Sequence, residues 1–418
     1  MADVEPLRAL HYDLERTGGL QDVVAPPYDV IDAEQRAQLE AASPYNVVRI
    51  DLPTGEDAYE HAARQLNEWR DDGVIVQDDE PAIYALEQQY TGPDGTSRTR
   101  RGFLARVRVE AYGPGRIRPH ERTHPGPRED RLRLTRATKA NLSPIFSLYD
   151  DPQSTATRPL EQAMTGEPYG QATDDDGTVN RVWRITAPES IAAITNALQD
   201  TELLIADGHH RYETARVYAD QIGGEGPHRY VLMDLVALED PGLTVFPTHR
   251  LLRNLRPDQH ETLASAIRRD FDIERLDTTA ELAPPSSDRV TLGYIDSHLK
   301  QPFRLTLKDQ AIADIALEDH AEPYRRLDTA VLEALILKGA LGMTDDDIDH
   351  LEGLGYARDF DNALELVQSG EYDVAFFVAP TPIERVREVA AAGESMPPKS
   401  TYFFPKVPTG LVFNRLDG

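Results

Sequence analysis

The 418-residue sequence contains no cysteine. That removes a disulfide framework, a thiolate nucleophile and a cysteine-ligated zinc from the chemistry open to it. Lysine is almost as scarce. Only Lys139, Lys300, Lys308, Lys338, Lys399 and Lys406 occur, so arginine supplies nearly all the positive charge, and the formal net charge is −28. An acidic, lysine-poor surface suits a high-salt cytoplasm, where carboxylates stay hydrated and self-repulsion is strongly screened. It argues against nonspecific DNA binding, which needs a basic face. No run approaches the ~18 apolar residues of a transmembrane helix. Met1 to Leu10 carries acids and lacks the apolar core of a signal peptide. A soluble, cytoplasmic protein without a membrane or nucleic-acid partner is therefore expected. There is no glycine-rich lysine loop of the P-loop kind, no internal repeat and no low-complexity tract.

What is present suffices for a sizeable core: 40% of the residues are hydrophobic, and the length suggests roughly two to three domains. Strands and helices mix without a steady βαβ rhythm, so the expected fold class is α+β, with mixed sheets and helices. The expected organisation is an N-terminal α+β region over 1–150, a central region over 151–255 and a C-terminal α+β region over 256–418, or one integrated unit made of all three.

The spacing predicts helices over 32–42, with Asp32 as N-cap, and over 56–71, with Tyr59, Ala62, Ala63, Leu66 and Trp69 on one face. Strands are predicted over 47–52, 82–90 and 101–110, the last two joined as a hairpin around Gly92-Pro93-Asp94-Gly95. A buried strand follows near 145–149, then a polar connection over 150–177 with a short helix near 160–164. Farther on, a hairpin is expected from 289–295 and 303–307, an apolar helix within 324–341 and a buried strand over 372–379.

Two stretches carry chemistry. In the first, Leu203-Leu204-Ile205-Ala206 reads as a buried strand, Asp207-Gly208 as a turn, and the chain from His209-His210-Arg211-Tyr212 onward as helix. A strand–turn–helix corner gathers backbone N–H groups at the positive end of a helix dipole, a setting that attracts anions. Arg211 adds a planar fork suited to phosphate. The second stretch, 116–134, packs Arg116, Arg118, His120, Arg122, His124, Arg128, Arg131 and Arg133 into a locally cationic segment. Prolines make its first part a loop, and helix is predicted from Arg128 through Thr138. His120 and His124 stand four apart, but the prolines argue against the helix that would make them a metal pair, so no structural metal is expected. Thr248-His249-Arg250, just past a strand, is a lesser candidate anion contact. Lys399 and Lys406 lie close together in the tail, and where lysines are so few a task such as neutralising phosphate is suggested.

Asp207 to Arg211 resembles the phosphate-binding signature of the ParB/sulfiredoxin-like superfamily, closest to the form in the free serine kinases. The whole chain also resembles the domain-of-unknown-function-1015 family. Its landmarks stand at Ala25-Pro26-Pro27-Tyr28-Asp29-Val30-Ile31, Pro119-His120-Glu121-Arg122-Thr123, Asn141-Leu142-Ser143-Pro144-Ile145-Phe146, Ala206 to Ala215, Pro247-Thr248-His249-Arg250 and Pro397 to Lys406.

The resemblance implies a ParB/sulfiredoxin-like nucleotide-binding core. It implies a phosphotransferase that moves a phosphoryl group from ADP or ATP, with magnesium, to a small hydroxyl compound such as serine. The sulfiredoxin branch needs a catalytic cysteine and is excluded. By the same resemblance Glu121 is the candidate general base. Asp207 orients a histidine or holds magnesium, and His209 and His210 stabilise the transferred group. Gly208, Arg211, His120, Thr123, Arg128 and Arg131 contact phosphate. The alternative is a ParB-like nucleotide-binding switch without turnover. A nuclease would need a metal-binding carboxylate set that the sequence does not display.

Overall fold

The computed structural model describes residues 2–114, 116–121 and 125–417. Mixed sheets and helices form two compact units. The first comprises residues 1–119, 123–243 and 405–418, and the second 120–122 and 244–404.

The first unit is built on a nine-stranded mixed sheet. Its strands are β1 (Val4–Glu5), β2 (Ile83–Thr91), β3 (Ser97–Arg108), β4 (Ile117–Arg118), β5 (Ile145–Tyr149), β6 (Gly170–Thr173), β7 (Val179–Ile185), β8 (Leu203–Asp207) and β9 (Tyr230–Ala237). They lie in the order β4-β8-β5-β9-β3-β2-β7-β6, with β1 alongside β3. Only the β4–β8 and β5–β9 pairs are parallel. The expected hairpin is the β2–β3 pair, in register from Tyr84↔Leu104 to Thr91↔Ser97. One face of the sheet is apolar: Ile83, Ala85, Phe103, Ala105, Ile145, Leu203, Ile205, Val231, Met233 and Leu235 belong to one buried cluster. Strands that alternate in this way leave their other residues on the opposite face. Among those are Arg100 and Asp234, both fully enclosed.

The helices of this unit include α1 (Ala33–Ala42), α2 (Val48–Asp51), α3 (Ala58–Asp71), α4 (Pro125–Thr138), α5 (Pro188–Ala197) and α6 (His209–Ile222). Asp32 caps α1 by accepting from the Gln35 N–H. The segment 47–52, predicted as a strand from its β-branched residues, is instead the short helix α2. Asn46 overrides the propensity. Its side chain accepts from the Val48 N–H and donates to the carbonyls of Asp22 and Val24, which fixes a helical turn at that point. The connection over 150–177 holds, besides the expected short helix, the unforeseen strand β6, which pairs with β7 at the sheet edge. Leu132 of α4 and Tyr218 of α6 pack together with Leu416.

The second unit carries a six-stranded sheet made of β10 (His249–Leu252), β11 (Phe271–Arg275), β12 (Thr291–Asp296), β13 (Phe303–Leu307), β14 (Leu354–Ala357) and β15 (Val374–Phe377). Its order is β11-β13-β12-β15-β10-β14, and every pairing is antiparallel. The expected apolar helix over 324–341 is divided into short α segments and a π-helical turn at Glu333–Lys338. Among the described residues no helix is long and apolar enough to cross a membrane.

Candidate functional site

Strand β8 ends at Asp207, where the pairing with β5 slips past a bulge between Ile205 and Asp207. Gly208 then turns the chain with φ 94° and ψ 28°, and α6 begins at His209. A side chain at Gly208 would be strained at that φ, and its Cβ would stand 3.0 Å from Arg211 Nε. The glycine therefore provides both the turn and the room for Arg211 to fold back over it.

Arg211 is held on three sides. One Nη donates to Asp207 Oδ2 at 2.6 Å. The other donates to Ser143 Oγ at 2.8 Å and to the Pro144 carbonyl. Lys406 donates to the second carboxylate oxygen, Asp207 Oδ1, at 2.6 Å. Two cations therefore embrace one carboxylate, and the trio keeps a net positive charge beside a helix N-terminus. Burial works against the Asp207 charge, but Lys406 and then Arg211 outweigh it and hold the carboxyl well below the usual range. The side chains of Arg211, Asp207 and Lys406 stay 10%, 18% and 19% exposed, so the cluster is reachable from solvent. With both oxygens taken by cations, Asp207 does not fit the magnesium-ligand role that the resemblance allowed, because a divalent ion would meet two positive neighbours. Among the described residues no group of three His, Asp or Glu side chains is placed to hold a metal. His209 is buried and His210 half-buried in the first turn of α6.

Behind the turn lies a small cavity of about 40 Å³, lined by Tyr28, Asp51, Arg131, Asn141, Ser143 and Arg211 among others. Arg131 spans it. It donates to the Asp51 carbonyl at 2.6 Å, approaches Asp51 Oδ1 at 3.4 Å and pairs with Asp130 at 2.6 Å. Its guanidinium lies 4.2 Å from the centre of the Tyr28 ring. Burial pushes the Asp51 carboxyl above its ordinary value despite Arg131 and Arg211, and burial pushes the Tyr28 hydroxyl up to about 12.

Among the described residues of the predicted cationic segment, only Arg131 lies on a cavity wall shared with Arg211. Arg118 pairs with Glu202, and Arg133 with Glu129. Arg128 is exposed, and its carbonyl accepts from Thr214 of α6 at 3.4 Å. Arg122, Thr123 and His124 lie outside the described residues. His120 and Glu121 belong to the second unit. There His120 is buried and hydrogen-bonded with Thr401 at 2.9 Å, and Glu121 bridges Met396. Arg250 is buried in β10, and its donors serve the carbonyls of Thr248, Pro398 and Lys399, so it is a strut for the tail loop and not an anion contact.

The strand–turn–helix corner thus holds two cations around one carboxylate. The chain belongs to the family described as "Protein of unknown function (DUF1015)", whose model matches residues 4–330. No curated protein matches it. Solved structures similar to it include three of note. A conserved hypothetical protein from Pyrococcus furiosus is 15% identical, with 71% of this chain and 92% of that chain covered and a TM-score of 0.36. A mutant of a free serine kinase in complex with AMP is 13% identical, with 71% and 89% covered and a TM-score of 0.37. SbnI from Staphylococcus aureus, truncated at its C-terminus, is 12% identical, with 73% and 85% covered and a TM-score of 0.36.

Proposed function

We propose that the first unit is a ParB/sulfiredoxin-like nucleotide-binding core, and that the protein transfers a phosphoryl group from ADP or ATP to a small hydroxyl compound. The observation that carries the reading is the Asp207–Arg211–Lys406 cluster at the N-terminus of α6. It offers fixed positive charge, helix-end donors and a glycine turn without a side chain in the way. Phosphoryl transfer asks a protein mainly for positioning and charge stabilisation. In this reading Arg211, Lys406 and the first turn of α6 hold the phosphates, Asp207 fixes both cations in place, and His209 and His210 face the transferred group. Magnesium arrives with the nucleotide, held by phosphate oxygens and water. For a hydroxyl acceptor a base is also required. The resemblance to the free serine kinases gives that role to Glu121.

The experiment is thermal unfolding in molar potassium chloride with and without ADP. A ligand at a hundredfold excess over its dissociation constant adds about 2.7 kcal/mol to the folded state. Wild type is expected to melt at higher temperature with ADP, and Arg211→Ala to melt at the same temperature with or without it. Absence of any nucleotide effect on wild type would remove the site.

A further inference from the structure

We propose that Gln88 and Arg100 are positioning residues of the phosphate site. From the polar face of the sheet they hold the main chain at Pro405 and Lys406, and so set where the Lys406 ammonium stands. The inference rests on the nucleotide reading of the Asp207–Arg211 turn and adds to it what fixes the second cation.

Lysine by itself makes a poorly fixed charge, because its stem is flexible and its ammonium has no planar fork. Lys406 also lies in the tail, 199 residues from the carboxylate it meets. A precise ammonium position therefore asks for a hold on its main chain.

The strand register supplies that hold. Arg100 on β3 stands opposite Gln88 on β2, and Gln88 stands opposite Asn180 on β7. The three side chains make one row across three strands, each of them 1% exposed. Gln88 Nε2 donates to Asn180 Oδ1 at 2.8 Å, and Arg100 Nε donates to Gln88 Oε1 at 3.1 Å. Two donors of the row also reach successive carbonyls of the tail. An Arg100 Nη donates to the Pro405 carbonyl at 2.7 Å, and Gln88 Nε2 to the Lys406 carbonyl at 3.0 Å. Pro405 has no N–H, so its carbonyl is the one main-chain group by which it can be hydrogen-bonded.

An enclosed guanidinium is costly unless its charge or its donors are answered. Burial pushes the Asp234 carboxyl up to about 6, although the Arg100 charge acts to lower it. Among the described residues neither Asp234 oxygen has a hydrogen-bond partner. The Arg100 donors go to Gln88 and the tail instead of to that carboxylate. Farther on, the tail is anchored without the row. Ala25 and Thr409 exchange main-chain bonds at 3.1 and 2.8 Å, the Thr409 and Ser143 hydroxyls lie 2.9 Å apart, and Asn414 donates to Asn141 at 2.9 Å. The row thus serves residues 405–406, where the lysine stands, and not the tail as a whole.

The test is calorimetric titration with ADP and with adenosine, in molar potassium chloride with magnesium. Gln88→Met keeps the length of the side chain and removes its polar atoms. It should weaken ADP binding roughly tenfold, the scale of one residue's backbone order, and leave adenosine binding as in wild type. Arg100→Lys keeps the charge and loses the fork. It should weaken ADP to a similar extent, and it carries the test should Gln88→Met fail to fold. In the Lys406→Ala background neither substitution should weaken ADP further, because no ammonium is left to place. A general loss of structure would instead add to the Lys406→Ala loss and reach adenosine as well. Either of those results overturns the assignment, as does wild-type ADP affinity in both variants. Wild-type ADP affinity in Lys406→Ala, alongside an Arg211→Ala that no longer distinguishes ADP from adenosine, removes the positioning role and leaves the nucleotide site standing. If wild type itself does not distinguish the two ligands, the nucleotide reading falls and the positioning role with it.

Discussion

Asp207→Ala is expected to lower the unfolding free energy by about 2–3 kcal/mol at pH 7. Removing one member of a buried ion pair typically costs about 3–5 kcal/mol, and the 10–19% exposure of these side chains reduces that figure. The loss arises because Lys406 and Arg211, each 2.6 Å from the carboxylate, are left side by side without it. The sign of the pH dependence follows from the depressed Asp207 ionisation. A carboxyl whose folded value lies below its unfolded value stabilises fully above the unfolded value, about 3.9 for aspartate. That stability drains away as pH falls through the folded value. Denaturant titrations of wild type and variant should run parallel above about pH 4 and converge below it. A difference that grows on acidification would contradict the electrostatic account of the cluster.

Lys406→Ala should weaken ADP binding about 100-fold, or about 2.7 kcal/mol at 1.4 kcal/mol per tenfold. The variant loses a cation and also leaves half of the Asp207 carboxylate to repel phosphate. Asp207→Asn combined with Lys406→Ala removes that repulsion and should recover part of the loss. Calorimetric titration of wild type and both variants at one fixed salt concentration checks this, since screening changes every such number. Equal affinities in wild type and Lys406→Ala would show that the lysine serves only to hold Asp207.

The turn was legible in the sequence because its parts are local. An apolar strand, a glycine that must adopt positive φ, and a helix start all lie within 203–222, and the structure has them in place. The hairpin 82–110 was legible for the same reason. Lys406 drew notice only through its rarity. Its partner Asp207 stands 199 residues earlier, a pairing that no local pattern encodes. Asp51 was hidden by a wrong local reading. Val47 to Leu52 has strand propensity, and only the Asn46 side chain, bonded to residues 22 and 24, makes it a helical turn. Charge density along a chain does not say which arginines already have carboxylates, and Arg118, Arg131 and Arg133 all do.

The central claim is that the Asp207–Arg211 turn and Lys406 hold nucleotide phosphate. Its most direct measurement is a pair of titrations in molar potassium chloride with magnesium, one with ADP and one with adenosine. The account predicts that ADP binds at least about tenfold more tightly, equivalent to about 1.4 kcal/mol carried by the phosphates, and that Arg211→Ala brings the two affinities together. Adenosine binding as tightly as ADP to wild type would contradict it.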